Sequence, residues 1–277
     1  MTQYFKIAFE DLGNEQKEIL IALLSEMNYE GFEEDGNSLQ AYVAVDLYKE
    51  TELIELARTQ GIDFSITRVE NKNWNLEWES NFHPIIIDHP IHNVPWVGIR
   101  AEFHEPLGKI DHEIIITPKM SFGTGHHATT SMMLKMMSEL EFSEKIVMDF
   151  GTGTGILAIL AEKLGGSKII AIDNDPFSIE NATENITRNN CTRIRLYQQS
   201  NAGLNQQFDI ILANIVKIVI LENIKVLASQ LTRGGTLLLS GLLKDDEKAI
   251  VESAYENNLI LVSKIGAEGW ICLQMNN

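Results

Sequence analysis

A glycine-rich turn between an apolar segment and an amphipathic one constrains this chain more than any other feature. Ile146 to Phe150 has the length and composition of a buried strand, and glycine then recurs at every second position through Gly155. Ile156 to Leu164 has apolar residues at helical spacing, and a second strand-like run, Lys168 to Ile172, leads into Asp173. The order of strand, glycine turn, helix, strand and acid predicts one right-handed βαβ unit of an α/β domain.

The chemistry of this turn predicts a nucleoside-bearing ligand. Gly151 and Gly153 let the backbone approach a ligand closely, and an ionised Asp173 can accept hydrogen bonds from both hydroxyls of a ribose. A dinucleotide favours the spacing G-x-G-x-x-G, whereas the third glycine here, Gly155, comes one residue earlier. That spacing argues against a nicotinamide dehydrogenase. A structural turn in some other α/β protein is the remaining alternative.

Composition and charge restrict the class of protein and the kind of partner. Of the 277 residues 44% are hydrophobic, and no apolar run approaches the roughly 20 residues that span a bilayer. The first ten residues do not resemble an export signal, and Cys191 and Cys272 have no metal or redox spacing. We therefore expect a reduced, cytoplasmic protein without a metal and without membrane attachment.

The acidic residues are concentrated in the first third of the chain. Residues 1–80 carry 17 acidic and 6 basic residues, whereas the remaining residues carry 22 and 16. An acidic surface repels phosphate backbones and attracts basic proteins. The distribution predicts a basic partner and no direct nucleic-acid binding, with improved solubility as the alternative explanation.

Residues 1–72 show the pattern of a small α+β domain. Their strand-like and helical segments follow one another in the order β-α-β-β-α-β, which is the ferredoxin-like plan. These segments are 3–10, 15–27, 29–34, 39–46, 52–60 and 62–69. Because they contain no nucleophile, metal cluster or glycine cradle, we interpret residues 1–72 as an acidic substrate-binding domain.

Residues 73–84 are predicted to connect this domain to the rest of the chain. Trp74 and Trp78 are four positions apart and would share one face of a helix. The segment is therefore interpreted as a short linker helix that ends at His83-Pro84. Ordinary core aromatic residues are an equally good interpretation of the two tryptophans.

Residues 85–277 are predicted to form a Rossmann-like α/β domain. Helical and strand-like segments alternate after Asp173, and a final hairpin around residues 266–269 gives seven strands with the last antiparallel. Phe208 to Ala213 is an apolar strand that ends at Asn214, a usual ligand position of an open α/β sheet. The histidines between residues 83 and 112 lack ligand spacing and are interpreted as scattered surface or loop residues.

A second glycine-containing loop, residues 121–130, lies upstream of the first. Thr129 or Thr130 is predicted to cap the helix that follows, whose Met133, Met136 and Met137 form a core stripe. A helix N-terminus presents free N–H groups to a carboxylate, such as that of an amino-acid ligand. Both glycine loops could therefore line one pocket.

Several motifs occur in an order that resembles a known family. They are F-G-T-G-H-H-A-T-T at 122–130, D-F-G-T-G-T-G-I-L at 149–157, A-I-D-N-D-P at 171–176, L-A-N-I at 212–215, S-G-L-L at 240–243 and the Trp270 hairpin. Over essentially its whole length the chain resembles the bacterial methyltransferases that modify the eleventh protein of the large ribosomal subunit. These enzymes are class I methyltransferases that use S-adenosyl-L-methionine.

The resemblance implies a protein N-methyltransferase. Its N-terminal domain would hold the basic ribosomal protein, and its Rossmann-like domain would methylate lysine side chains and the α-amine. The family's cofactor contacts would fall on Thr130, Gly151, Asp173 and Asn214. Within the two glycine loops, the further cofactor-binding candidates are Phe122, Gly123, Thr124 and Gly153.

Two departures from the family pattern concern the loops. The turn reads G-T-G-T-G where the family usually has G-C-G-S-G, and the lead-in, Thr117 to Ser121, lacks the common Asp-Pro start and the alanine before the phenylalanine. Both changes are small and turn-compatible. They bear more on the shape of the approach loop than on cofactor binding.

Asn214 is the candidate catalytic residue. Its side-chain oxygen, or a neighbouring backbone carbonyl, could aim the lone pair of a neutral amine, whereas the alternative is a strand-end residue that only contacts cofactor. His126 and His127 could relay a proton or simply shape the loop. The remaining alternatives are a methyltransferase for another protein, a nucleic acid or a small molecule, and a non-catalytic module that retains the cofactor. Nucleic-acid enzymes often carry Asn-Pro-Pro-aromatic where this chain has Asn-Ile-Val.

Overall fold

The computed structural model describes residues 4–29, 31–69, 82–117 and 123–277. It divides the chain into two units, Met1–Glu77 and Trp78–Asn277. Most of the predicted linker helix, including Trp74 and Trp78, lies outside the described residues, and so does Phe122. Residues 82–84, the described end of that predicted helix, are not helical.

A four-stranded antiparallel sheet and the helices between its strands form the first unit. In chain order the elements are β1 (Tyr4–Phe9), α1 (Asn14–Glu26), β2 (Phe32–Asp35), β3 (Ser38–Ala44), α2 (Glu50–Gln60) and β4 (Phe64–Val69). The strands lie in the order β2-β3-β1-β4. Ile7 and Phe9 are fully buried because residues two apart share one face of a strand. The element order is the one that the ferredoxin-like prediction requires.

A small sheet begins the second unit. It consists of β5 (Ile85–Asp88), β6 (Pro95–Arg100) and β7 (His112–Ile115), with β5 antiparallel and β7 parallel to β6. The central strand buries Arg100, whose guanidinium contacts the Glu113 carboxylate at 3.0 Å. This hydrogen-bonded contact holds the pKa of Glu113 below its usual range.

A seven-stranded sheet is the centre of the second unit. Its strands are β8 (Ile146–Phe150), β9 (Lys168–Asp173), β10 (Ile194–Gln198), β11 (Phe208–Asn214), β12 (Leu231–Leu243), β13 (Ile260–Ala267) and β14 (Trp270–Asn276). The helices are α3 (Ala128–Met137), α4 (Ile156–Lys163), α5 (Pro176–Arg188), α6 (Lys217–Ser229) and α7 (Glu247–Glu256). The strand order is β10-β9-β8-β11-β12-β14-β13, and β14 runs opposite to the other six strands of this sheet. This confirms the predicted Rossmann-like sheet.

Apolar side chains cover both faces of this sheet. One cluster joins Val147 and Leu212 to residues of α3 and α4, and the other joins Met148 and Ile211 to residues of α6 and α7. Successive residues of a strand point to opposite faces, so a strand covered by helices on both faces needs an uninterrupted apolar run. The predicted stripe of Met133, Met136 and Met137 is buried in the first cluster, which confirms its core role.

The arrangement of the parallel strands brings polar residues to one edge. The chain passes from β8 to β9 on one side, whereas β11 pairs with β8 on the other side. The strand order therefore reverses between β8 and β11, which opens a crevice at the carboxyl ends of these strands. The glycine turn follows β8, and Asn214 ends β11, so both lie at that crevice.

The sequence pattern after α6 predicts a strand over 236–240 and a helix over 244–257, and the starting boundary of each is wrong. Strand β12 begins at Leu231 and not at Thr236, because Phe208 of β11 pairs with Leu231 across a register shift. Residues 244–246 form a 3₁₀ turn ahead of α7, where a continuous helix was predicted. The Asp246 carboxylate accepts from the Leu243 N–H at 3.0 Å and contacts Lys217 at 2.8 Å, which holds this turn in place. In the part of the chain that the structure describes, no helix combines the length and apolarity needed to cross a bilayer.

Candidate active site

A cavity of about 610 Å³ lies at the carboxyl ends of the central strands. Gly151 and Gly153 of the turn, Asp173 at the end of β9 and Asn214 at the end of β11 all line it. Its volume falls within the range of roughly 300–1,000 Å³ that is typical of small-molecule sites. Four residues predicted from different parts of the sequence thus meet in one site.

The glycine turn has a backbone conformation that favours glycine. Gly151, Gly153 and Gly155 have φ angles of 78°, 54° and 82°. A Cβ atom on Gly151 would lie 2.2 Å from the Cγ2 methyl of Ile215, so a side chain there would collide with the residue that follows Asn214. Gly155 is the N-cap of α4. The turn therefore exposes bare backbone to the cavity.

Most N–H groups of the turn are already used within the protein. The Gly151 and Thr152 N–H groups donate to the Ile172 carbonyl at 2.8 and 2.9 Å, and the Gly155 N–H donates to the Thr152 carbonyl at 2.8 Å. The Gly153 N–H donates to Asp173 Oδ2 at 2.8 Å. A turn that binds a pyrophosphate offers such groups to the ligand. The bonded N–H groups therefore argue against a dinucleotide ligand, as the glycine spacing in the sequence does.

Asp173 is oriented by the backbone on both sides. Its Oδ2 accepts from Gly153, and its Oδ1 accepts from the Asp175 N–H at 3.0 Å. Asp175 in turn caps α5 by accepting from the N–H groups of Phe177 and Ser178. Because each carboxylate oxygen offers more than one lone pair, Asp173 keeps acceptor capacity toward the cavity that it lines.

Asp149 lies beneath the turn and is fully buried. Its Oδ2 accepts from Thr152 Oγ1 at 2.6 Å and from the Ala158 N–H at 3.2 Å. Burial raises the pKa of Asp149 to about 7, and the negative charge of Asp173 acts in the same direction. The Asp149 side chain thus connects β8, the turn and α4. As the first acidic residue of the motif, it shapes the turn.

The approach loop, residues 123–127, is attached to the glycine turn. Thr154 Oγ1 donates to the Gly123 carbonyl at 2.6 Å. Thr124 Oγ1 lies 3.3 Å from His126 Nδ1, and His126 Nε2 lies 3.1 Å from the His83 carbonyl oxygen. The structure thus places Gly123 at the turn, whereas the Thr124 side chain contacts its own loop. His126 does not line the cavity.

The predicted cap of α3 by a threonine is wrong. His127 is the N-cap, and its Nδ1 accepts from the Thr129 N–H at 3.3 Å and lies 2.7 Å from Thr129 Oγ1. Thr129 and Thr130 are instead fully buried in the first turn of the helix. An imidazole nitrogen can accept as a capping hydroxyl does, a possibility that the usual capping preferences do not reveal.

Asn214 has a buried acceptor atom with no partner in the described part of the chain. Its Nδ2 lies 3.4 Å from the Thr130 hydroxyl, and its Oδ1 has no hydrogen-bond partner. A buried polar atom without a partner costs free energy, and such atoms are few in native proteins. Because Asn214 lines the cavity, a ligand donor there would satisfy this oxygen.

Two aromatic side chains, those of His127 and Trp270, form a wall of the cavity, whereas sequence reasoning offered His127 only as a proton relay or loop-shaping residue and gave Trp270 no functional role. The rings of His127 and Trp270 meet edge to face with centroids 4.9 Å apart, and both residues line the cavity. Trp270 begins β14, which lies beyond β12 in the sheet. Only the strand order brings it here, so no local signal could have assigned it. Gln199 and Ser200, which follow β10, line the cavity for the same reason.

The other histidines do not form a metal site. No group of three His, Cys, Asp or Glu residues suited to a metal ion exists among the residues that the structure describes. His112 is an exception to the surface-or-loop interpretation, because it lies in β7 and packs edge to face on Trp96 at 5.7 Å. Burial lowers the pKa of His112.

The sheet order, the glycine turn and the acid at the end of the next strand define a Rossmann-like class I methyltransferase. A family model described as ribosomal protein L11 methyltransferase (PrmA) matches residues 5–277. The chain belongs to this family.

Similar proteins support this assignment over almost the whole chain. The ribosomal protein L11 methyltransferase of Bacteroides fragilis is 34% identical over 98% of this chain and 99% of its own length. That of Chlorobaculum tepidum is 36% identical, over 97% of this chain and 94% of its own. The crystal structure of a ribosomal protein L11 methylase from Lactobacillus delbrueckii subsp. bulgaricus is 30% identical, with a TM-score of 0.63, 70% of this chain covered and 98% of that chain.

Proposed function

We propose that this protein transfers methyl groups from S-adenosyl-L-methionine to lysine side chains and to the α-amine of ribosomal protein L11 in the cytoplasm. Its family and its Rossmann-like fold support methyl transfer. The observation that carries the proposal is the unpartnered Asn214 Oδ1 in a cavity that also contains the glycine turn and Asp173. A turn that would bind the cofactor and an acceptor atom, Asn214 Oδ1, that would bind the amine thus lie in one site.

The charge of the cavity agrees with positively charged ligands. Asp173 and Glu222 are acidic residues of its wall, and among the described residues no Lys or Arg lines it. The cofactor carries a sulfonium, and the acceptor arrives as an ammonium, so both bring positive charge. A phosphate-bearing ligand would favour the opposite charge. This electrostatic argument supports S-adenosylmethionine over a nicotinamide dinucleotide.

The residues at the cavity fit the parts of the cofactor. Gly151 and Gly153 leave room for close approach, and Asp173 would accept from the ribose hydroxyls. Thr130, at the start of α3, would contribute through Asn214, whose Nδ2 lies 3.4 Å from the Thr130 hydroxyl. The remaining predicted contacts would come from Gly123 and Thr124 of the approach loop and from Phe122 just before it. When bound, the cofactor supplies an electrophilic methyl group.

The protein's contribution to the reaction is orientation and desolvation. An acceptor lysine has a pKa near 10.4 in water and must lose a proton before its lone pair is available. The apolar wall of Phe150, Val216 and Val219 would favour the neutral amine by excluding water. Asn214 Oδ1 would then accept one N–H and aim the lone pair. A neutral amide orients the amine without stabilising the ammonium form, whereas a carboxylate would stabilise it.

We propose that residues 1–72 form the substrate-binding domain, residues 73–84 the linker and residues 85–277 the catalytic domain. The acidic excess of the first part supports its role in holding a basic ribosomal protein. No phosphate contact is required of it, so direct nucleic-acid binding is not expected.

Calorimetry and a labelling assay test the proposal together. Purified protein is titrated with S-adenosylmethionine and S-adenosylhomocysteine, and radiolabelled methyl transfer to purified L11 is measured with mass spectrometry of the product. We expect binding of both nucleosides and label on lysine side chains and the α-amine. The absence of heat with either nucleoside would overturn cofactor use. Label on another protein, a nucleic acid or a small molecule, with none on L11, would overturn the substrate.

A further inference from the structure

Three asparagines on one face of α5 connect this helix to backbone segments beside the cavity. Asn181, Asn185 and Asn189 are spaced by four residues, and Asn189 is the C-cap. Asn181 and Asn185 are fully buried. None of the three lines the cavity. Buried amides need hydrogen-bond partners. The partners of these side chains therefore show which backbone segments they hold in place.

Asn185 joins two backbone groups that are far apart in sequence. Its Oδ1 accepts from the Thr117 N–H at 2.8 Å, and its Nδ2 donates to the Thr154 carbonyl at 2.8 Å. Thr154 lies inside the glycine turn, between Gly153 and Gly155. Since one amide serves both groups, its two bonds fix the direction of the Thr154 carbonyl relative to α5.

The other polar groups of Thr154 extend this restraint to the cavity. The Thr154 hydroxyl donates to the Gly123 carbonyl at 2.6 Å, and the residue is fully buried. Gly153, immediately before it, donates its N–H to Asp173 and lines the cavity. The Thr154 carbonyl shares its peptide plane with the Gly155 N–H, which donates to the Thr152 carbonyl at 2.8 Å, so a rotation of this peptide would break that bond and loosen the turn on both sides of Gly153.

Asn189 provides a contrast on the same helix. Its Oδ1 accepts from the Ile115 N–H at 3.0 Å, and its Nδ2 donates to the Ile115 carbonyl at 2.7 Å and to the Asn185 carbonyl at 2.8 Å. These bonds attach the end of β7 to α5 and do not reach the glycine turn. Asn189 therefore has a comparable number of backbone partners without the connection to Thr154.

We propose that Asn185 is a positioning residue for cofactor binding. It sets the direction of the Thr154 carbonyl and thereby the geometry of the glycine turn, without touching the cofactor. The identity of the ligand rests on the proposed function, whereas the geometry of the turn is accessible to a separate measurement.

The first experiment compares Asn185→Ala with Asn189→Ala. Calorimetry measures the Kd for S-adenosylhomocysteine at a temperature well below the Tm of both variants. We expect the Kd to rise by about tenfold or more in Asn185→Ala and to stay within roughly twofold of wild type in Asn189→Ala. Equal changes of Kd in both variants would overturn the proposal, because both variants remove side-chain hydrogen bonds that join α5 to backbone segments outside the helix.

A conservative variant separates the two bonds of Asn185. Asn185→Asp keeps an acceptor for the Thr117 N–H but loses the donor to the Thr154 carbonyl. Measured at pH 8, its Kd should rise at least as much as that of Asn185→Ala, because an ionised carboxylate would face the Thr154 carbonyl oxygen without a proton to donate. A Kd that returned to the wild-type value would show that the bond to Thr154 is not the one that matters.

Hydrogen exchange reports on the turn without any ligand. Amides of residues 151–155 are expected to exchange faster in Asn185→Ala than in wild type, with no such change in Asn189→Ala. If wild-type protein bound neither nucleoside, the proposed function would fail, but this difference in exchange would still support the positioning role. Unchanged exchange at the turn in Asn185→Ala would overturn the positioning role itself.

Discussion

Asn214 differs from the other cavity residues because its free oxygen faces a site rather than a partner. The glycine N–H groups of the turn and the Asp173 carboxylate are already bonded within the protein, whereas Asn214 Oδ1 has no hydrogen-bond partner among the residues that the structure describes. Residues that are satisfied internally hold the shape of the cavity. Asp173 keeps acceptor capacity beside its two backbone bonds, whereas Asn214 Oδ1 has no bond to any described residue, so the proposed function pairs Asn214 with the amine and Asp173 with the ribose.

Replacement of Asn214 therefore has an expected kinetic signature. Asn214→Ala should lower kcat for methyl transfer by about 100-fold or more, since orientation of the nucleophile is lost. The Kd for S-adenosylhomocysteine should change by less than about fivefold, because the bond to Thr130 is long at 3.4 Å. Single-turnover transfer and calorimetry measure the two quantities. If only the Kd changed, Asn214 would be a cofactor contact without an orienting role.

The raised pKa of Asp149 should make the stability of the fold depend on pH. Its pKa is raised to about 7 by burial, so the folded protein binds this proton more tightly than the unfolded chain does. The group therefore stabilises the fold least at and above pH 7, and its contribution becomes more favourable as the pH falls from 7 toward the unfolded pKa near 3.9.

The variant Asp149→Asn removes this titration while nearly preserving shape. We expect its free energy of unfolding, relative to wild type, to be higher at pH 8 than at pH 5, with a difference of about 1–3 kcal/mol. Urea denaturation at both pH values measures it. A relative stability that is the same at pH 5 and pH 8 would show that Asp149 does not titrate in this range.

The elements around the cavity show which features a sequence can predict. The strands, the glycine turn and the acid after β9 follow from local patterns, because a strand's period and a turn's glycines are encoded where they occur. The aromatic wall of His127 and Trp270 depends on strand order, and the capping of α3 depends on a histidine in an unusual role. Such features require the three-dimensional arrangement. Sequence reasoning missed the capping role of His127 and the position of Trp270 at the cavity.

The end of β11 packs closely against the glycine turn, and this contact can be tested by substitution. A Cβ atom on Gly151 would meet the Ile215 Cγ2 methyl at 2.2 Å. Gly151→Ala should therefore weaken cofactor binding, through this collision and through strain at a positive φ of 78°. Ile215→Ala removes the methyl, so the double variant should bind the cofactor more tightly than the sum of the single effects predicts.

Calorimetry on the four members of this double-mutant cycle decides the matter. We expect a coupling of about 1 kcal/mol or more between positions 151 and 215, and Gly153→Ala with Ile215→Ala serves as the comparison. Additive effects at positions 151 and 215 would show that backbone strain, and not contact with Ile215, explains the loss of binding.

At the scale of the whole molecule, charge and chemistry are separated along the chain. The first 80 residues carry 17 acidic and 6 basic residues, whereas the described residues that line the cavity all come from His127 onward. Exposed acidic side chains of the first unit include Glu33, Glu50 and Glu55. Long-range attraction between such a surface and a basic protein raises the rate of association and weakens with salt. Substrate capture and methyl transfer should therefore be separable.

Deletion of residues 1–72 tests this separation most directly. The shortened chain retains every described residue that lines the cavity, so its Kd for S-adenosylhomocysteine should stay near the wild-type value while methylation of intact L11 is lost. A milder variant, with Glu33, Glu50 and Glu55 replaced by Gln, should raise KM for L11 by roughly tenfold at low salt and leave kcat unchanged. It should also flatten the dependence of KM on ionic strength, since exposed charges are screened over about 10 Å at 0.1 M salt. Undiminished methylation of intact L11 by the shortened chain would assign substrate capture to the catalytic domain instead.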